Sequence, residues 1–154
     1  MASTIAKAVS DLLNEEKWTR AALNSYTTHN FQELDGTIAQ VTGPEAEAEV
    51  RQLCEEHLAH TRNSIIALYV SGILALRKRV LDDSNLIRLT TIFADNHKWN
   101  VVEYLCNRVL EFGESKYALR MLAECYEKES KDQKRYEVWE RLIRVDYEEA
   151  DIVK

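Results

Sequence analysis

The feature that most constrains this chain is a shortage of turn residues. Its 154 residues include four glycines and one proline, where average usage would supply about eleven and about eight. Sandwiches and barrels reverse the chain repeatedly on Gly, Pro and Asn turns, and phosphate-cradling loops need glycine where backbone approaches the anion. Helices need neither, so the sequence reads as all-α. The length predicts one domain, and 45% hydrophobic with 30% charged residues is a globular balance with enough apolar surface for a core.

A net charge of −6 repels phosphate backbones and acidic lipid surfaces, which argues against direct nucleic-acid or membrane binding. Cys54, Cys106 and Cys125 are odd in number, far apart, and set among helical apolar positions. They read as reduced thiols in a cytoplasmic core. The first residues lack the uninterrupted apolar run of a signal peptide. The longest nearly apolar stretch, residues 65–76, is well short of the roughly 20 residues that span a bilayer, so it is expected as a buried helix.

Apolar spacing places the helices. Ile5, Val9, Leu12 and Leu13 predict a helix over residues 4–16, and a short one follows over residues 18–26. Phe31, Leu34, Ile38 and Val41 form the next stripe, capped by Asn30 and stopped by Gly43 and Pro44. A fourth helix, acidic at its start, buries Ala46, Val50, Leu53 and Cys54 and ends near Arg62. Asn63 is expected to cap a helix over residues 64–79, and Asp83 or Ser84 to cap one bearing Leu86, Leu89 and Phe93. Val102, Leu105, Cys106 and Val109, a left-handed stop at Gly113, then Ala118, Met121, Leu122 and Cys125 spell a helical hairpin. A helix over residues 132–146 carries Tyr136, Trp139, Leu142 and Ile143, and residues 148–154 begin another.

Sliding the sequence by 34 residues superposes Val102 on Tyr136, Leu105 on Trp139, Val109 on Ile143 and Ala118 on Ile152; sliding it back superposes Val102 on Leu68, Cys106 on Gly72 and Val109 on Ala75. Thirty-four residues is the tetratricopeptide (TPR) period, and small residues such as Gly72 and Ala118 suit its close helix contacts. The expected architecture is a TPR-like α-solenoid, a right-handed superhelix of about eight to nine helices in antiparallel hairpins. Residues 1–154 then form a single repeat domain, with irregular helices over 1–62 and TPR-like hairpins over 63–154. Another α-solenoid or an irregular bundle is the alternative. A chain ending inside a repeat reads as part of a longer protein, with an apolar patch at its C-terminal end that leaves it monomeric or weakly self-associating.

Signs of catalysis are lacking. Cys54, His57 and His60 recur at i, i+3 and i+6 and could share one broad helix face, but a structural zinc site normally needs four ligands. A buried thiol beside two histidines at a helix end explains the spacing, and a metal or thiol site there is the minor alternative. No nucleophile or acid–base signature stands out, so neither enzyme activity, cofactor nor metal is expected. Arg77, Lys78 and Arg79 suit a solvated last helical turn, and Trp18, Trp99 and Trp139 suit helix packing. In a hairpin stack, first-helix residues off the packing stripe line the groove, which here nominates Tyr69, Asn100, Glu103, Asn107, Arg141 and Arg144 for a protein partner. Asn107 stands where some TPR domains that bind C-terminal carboxylates carry asparagine, but Glu103 replaces the lysine expected one turn earlier.

Four stretches carry a family likeness: WTRAALNSYT over residues 18–27, HTRNSIIALYVSGIL over 60–74, DNHKWNVVEYLCNRVLEFGESKYALRMLAECYE over 95–127 and WERLIRVDYEEADIVK over 139–154. Together they resemble the N-terminal helical-repeat region of long spirochaete proteins ending in a GreA-type transcript cleavage and elongation factor domain. GreA-family members stimulate RNA polymerase through an acidic-tipped coiled coil in its secondary channel, where the carboxylates help hold a catalytic magnesium ion. None of those residues matches a position here. The resemblance implies a helical arm appended to an elongation factor, docking it on RNA polymerase or an associated protein; a structural spacer between other domains is the alternative.

Overall fold

A computed structural model describes residues 4–16 and 20–153, with side chains described through Val145 and not for Arg20. Among the described residues the chain is all-helical, with nine helices and no strand: α1 (Thr4–Glu15), α2 (Arg20–Ser25), α3 (Thr28–Ala39), α4 (Pro44–His60), α5 (Ile65–Arg77), α6 (Ser84–Asp95), α7 (Trp99–Leu110), α8 (Lys116–Lys128) and α9 (Asp132–Val153). No described helix is long and apolar enough to cross a membrane. Trp18 and the side chain of Ile152 lie outside the described residues. The expected break near Glu148 is absent from the backbone, because α9 continues as one helix to Val153.

The chain divides into two compact units, one up to Leu89 and one from Thr90. The division falls inside α6. In the first unit α5 is the core. Every residue from Ile65 to Leu76 is buried, as expected of a helix apolar on all sides, and α1, α3 and α4 pack around it. Gly72 permits a close approach: a Cβ added there would collide with the Leu86 side chain on α6.

Polar staples hold α5 at both ends. Ser64, rather than Asn63, is its N-cap, its Oγ accepting the Ala67 N–H at 3.1 Å. At the other end, Arg77 donates to the carbonyls of Ile38 and Val41, both at 2.7 Å, and pairs with Glu47 at 3.3 Å. It therefore satisfies carbonyls at the end of α3, where a solvated turn was expected. The carbonyl and carboxylate partners also show that α5 runs antiparallel to α4, its end meeting the start of that helix.

Helix punctuation differs from the sequence expectation in two further places. Asn30 sits at the third position of α3, its Oδ1 accepting the N–H of Thr27, the true N-cap, at 2.8 Å. Gly113 does not adopt the left-handed stop; Gly43, before α4, is the glycine with positive φ. Left-handed geometry is instead imposed on Arg79, His97 and Ser130, just past α5, α6 and α8. Each is followed by a paired backbone closure, such as Val80 N–H to Ala75 carbonyl at 3.1 Å with Arg79 N–H to Leu76 carbonyl at 2.8 Å. This is the Schellman pattern, built without glycine.

In the second unit α8 packs on both α7 and α9. The order is antiparallel throughout. Cys125 near the end of α8 reaches the Trp99 carbonyl at the start of α7, and Glu114 just before α8 meets Arg141 near the middle of α9. The expected stripes of α7 and α8 are buried apart from the half-buried Met121, but that of α9 splits: Leu142 is buried while Tyr136, Trp139 and Ile143 face solvent.

Candidate functional site

The nominated groove residues fall into three environments. Tyr69 is wholly buried in the first unit, its ring edge-on to Phe31 at 4.9 Å and its hydroxyl donating to Asp35. It serves the core and presents nothing to a ligand. Asn100 and Asn107 are exposed on α7 and share a face with half-buried Glu103, as i, i+3, i+7 spacing requires. On α9, Arg144 is exposed, whereas Arg141 is held by Glu114 at 2.7 Å at the start of α8. Glu103 is engaged instead near the end of α8, so the antiparallel order keeps these two charged positions apart.

Around Glu103 the structure builds a cluster that no sequence motif marks. Ligand atoms of Glu103, Cys125 and Glu129 lie within 4.8 Å of one another. The Cys125 thiol is 3.2 Å from both Glu129 Oε1 and the Trp99 carbonyl oxygen, either of which can accept its proton. Lys131 lies 3.5 Å from Glu129 and 3.8 Å from Glu103. Burial first, then the hydrogen bond and charge of Glu129 and the charge of Glu103, push the Cys125 thiol far above its ordinary range. The same surroundings raise Tyr126 to about 12, burial leading and Glu103 next. A divalent cation held here would displace the Lys131 ammonium and strip a strongly retained proton from sulfur. With both groups in place, one ammonium is shared between two carboxylates, and the thiol at the Trp99 carbonyl ties α8 to the start of α7.

The Cys54, His57 and His60 set does not converge among the described residues. Cys54 is buried, and burial followed by the Glu55 charge pushes its thiol to about 12, while His57 is half-buried and His60 exposed. Cys106 is likewise raised to about 12 by burial and then Glu103. These thiols are not nucleophiles near neutral pH. Trp99 is half-buried and Trp139 exposed.

Among the described residues, the large exposed apolar side chains of the second unit lie on α9. Tyr136, Trp139 and Ile143 are 59%, 46% and 63% exposed, while Val138 and Leu142, which face α8, are 5% and 4% exposed. Helical spacing alone failed to separate these two faces because all five residues are apolar.

No family model matches the chain, and no solved structure matches it. Among curated proteins, it is 55% identical over 132 residues to a "Putative GreA-associated domains protein" of Treponema pallidum, covering 86% of this chain and 20% of that protein. It is 33% identical over 151 residues to a "Transcription elongation factor GreA" of Borreliella burgdorferi, covering 98% of this chain and 17% of that protein. The chain thus spans a fifth or less of the length of the curated relatives it matches.

Proposed function

We propose that this chain, a homologue of a segment of long GreA-type spirochaete proteins, is a cytoplasmic protein-interaction module that docks a transcription elongation factor on RNA polymerase or an associated protein. The observation that carries the reading is its relation, across nearly all of its length, to a protein named as a transcription elongation factor. The second unit supplies a scaffold for it. Here α7, α8 and α9 act as a TPR-like hairpin stack, a reading supported by their antiparallel order and the 34-residue offset between α7 and α9. The row of Asn100 and Asn107 on α7, with Arg144 on α9, offers polar contacts to a peptide or protein surface. The module itself performs no chemistry; its thiols are buried and raised, which suits a binding role.

The test is binding of the intact chain to RNA polymerase purified from the same cells. Combined Asn107→Glu and Arg144→Glu substitutions are expected to weaken retention about tenfold, the equivalent of roughly 1.4 kcal/mol. Equal binding by wild type and variant would remove these residues from the interface. No binding by wild type would remove the polymerase.

A further inference from the structure

The offset relating α7 to α9 places Val102, Leu105 and Val109 on Tyr136, Trp139 and Ile143. The three α7 residues are at most 1% exposed, on a helix whose main neighbour is α8. Their α9 counterparts are the exposed apolar residues already described. The face by which α9 packs on α8, Val138 and Leu142, lies about 110° around the helix from them at 3.6 residues per turn. α9 thus has two apolar seams, and the uncovered one is the register that α7 buries.

We propose that the seam of Tyr136, Trp139 and Ile143 docks a further antiparallel amphipathic helix of the same polypeptide, one with the chemistry of α8. In α8 the buried set is Ala118, Leu119, Leu122, Ala123, Cys125 and Tyr126, small residues set among branched ones, which let two helices approach closely. Size favours a tethered occupant over a second copy. Three side chains fall short of the roughly 1,200 Å² buried by a stable free-standing interface, whereas a helix joined by a short turn meets its site at an effective concentration of about millimolar. Proteins of this kind also have chain to supply it, since the matched segment is 20% of one relative and 17% of the other. The proposal rests on the hairpin-stack reading above and is independent of the polymerase assignment.

A chimera tests it directly. Replacing residues 146–154 with a second copy of residues 112–131 sets an α8 sequence in the 34-residue register behind α9. Acrylamide quenching assigned to Trp139, by difference from a Trp139→Phe variant, is expected to fall several-fold relative to the unaltered chain, and Tm to rise by several degrees. Trp139→Glu then erases the gain in the chimera, yet shifts the unaltered chain by less than about 2 °C, as for an ordinary surface change. Unchanged Tm with Trp139 still fully quenched overturns the proposal. So does a dimer of the unaltered chain that Trp139→Glu abolishes, because that assigns the seam to a second copy. Hydrogen exchange of α9 in a Leu122→Ala variant tests the stack separately: if α9 is untouched, the stack reading has failed and not merely the seam.

Discussion

In the first unit one helix is enclosed on every side, whereas in the second each helix from α7 to α9 buries only part of its circumference. α5 has no solvent face between Ile65 and Leu76, and its ends are fixed by polar side chains: Glu16 reaches in from beyond α1 at the start, and the helix's own Arg77 reaches out to α3 and α4 at the end. α9 buries Val138 and Leu142 and leaves Tyr136, Trp139 and Ile143 in water. Identical kinds of residue therefore play different parts. An aromatic at the middle of α5 stabilises the fold, and an aromatic at the middle of α9 is available to bind.

The widest separation is expected between two alanine truncations. Tyr69→Ala removes a fully buried ring together with its hydrogen bond to Asp35, and should cost about 3–5 kcal/mol in urea unfolding. Trp139→Ala, by contrast, should change stability by no more than about 0.5 kcal/mol. Comparable losses at both positions would erase the distinction between the two helices.

Glu16 sharpens the contrast through pH. Its carboxylate accepts the Ile66 N–H at 3.0 Å and the Ser64 hydroxyl at 3.0 and 3.1 Å, satisfying orphan groups at the start of α5. Burial outweighs these bonds and raises its pKa above the ordinary carboxylate value. A raised folded-state pKa means that the stability tied to the protonated form is complete below the unfolded-state value. It is lost as pH rises through the ordinary carboxylate range to the higher folded value. Glu16→Gln keeps a carbonyl acceptor and should flatten this slope, while Glu16→Ala, which strands the Ile66 N–H, should cost about 1–3 kcal/mol. A steeper decline on the acid side in wild type than in Glu16→Gln would contradict the assignment.

The smallest effects belong to the helix ends. Arg79, His97 and Ser130 hold φ of 64°, 58° and 59°, a conformation costly for L side chains and free for glycine. Glycine at any one of them is expected to raise stability by a few tenths to about 1 kcal/mol, partly offset by greater unfolded-state entropy. A loss of stability at all three in thermal unfolding would show that their side chains contribute more than their backbone strain costs.

These particulars explain what was legible in the sequence. Stripes such as Phe31, Leu34 and Ile38, or Val102, Leu105 and Val109, were readable because burial of one face imposes the helical period directly. The uncovered α9 seam was not separable from its packing face, because periodicity records which residues are apolar and says nothing of which acquire a neighbour. Tyr69 lies off the packing stripe and so reads as a groove residue, yet it is wholly buried and its hydroxyl is satisfied by Asp35, a partner 34 residues away in sequence. The Glu103, Cys125 and Glu129 cluster joins two helices, so no local spacing announces it, while the regular spacing of Cys54, His57 and His60, which reads as a buried thiol beside two histidines at a helix end, assembles no such cluster among the described residues. Gly113 is the obvious left-handed residue by composition, but left-handed stops fall on Arg79, His97 and Ser130, where local backbone closures end the helices.

Native-state hydrogen exchange across α5 and α9 tests the contrast between an enclosed helix and an open one most directly. The enclosed helix predicts that amides from Leu68 to Leu76 exchange only by global opening of the first unit, with opening free energies that track denaturant-unfolding stability. Amides of α9 from Tyr136 to Val145 should instead exchange through smaller openings, at distinctly lower free energy. Equal protection of the two segments would contradict the account, because it would mean that α9 is as fully enclosed as α5.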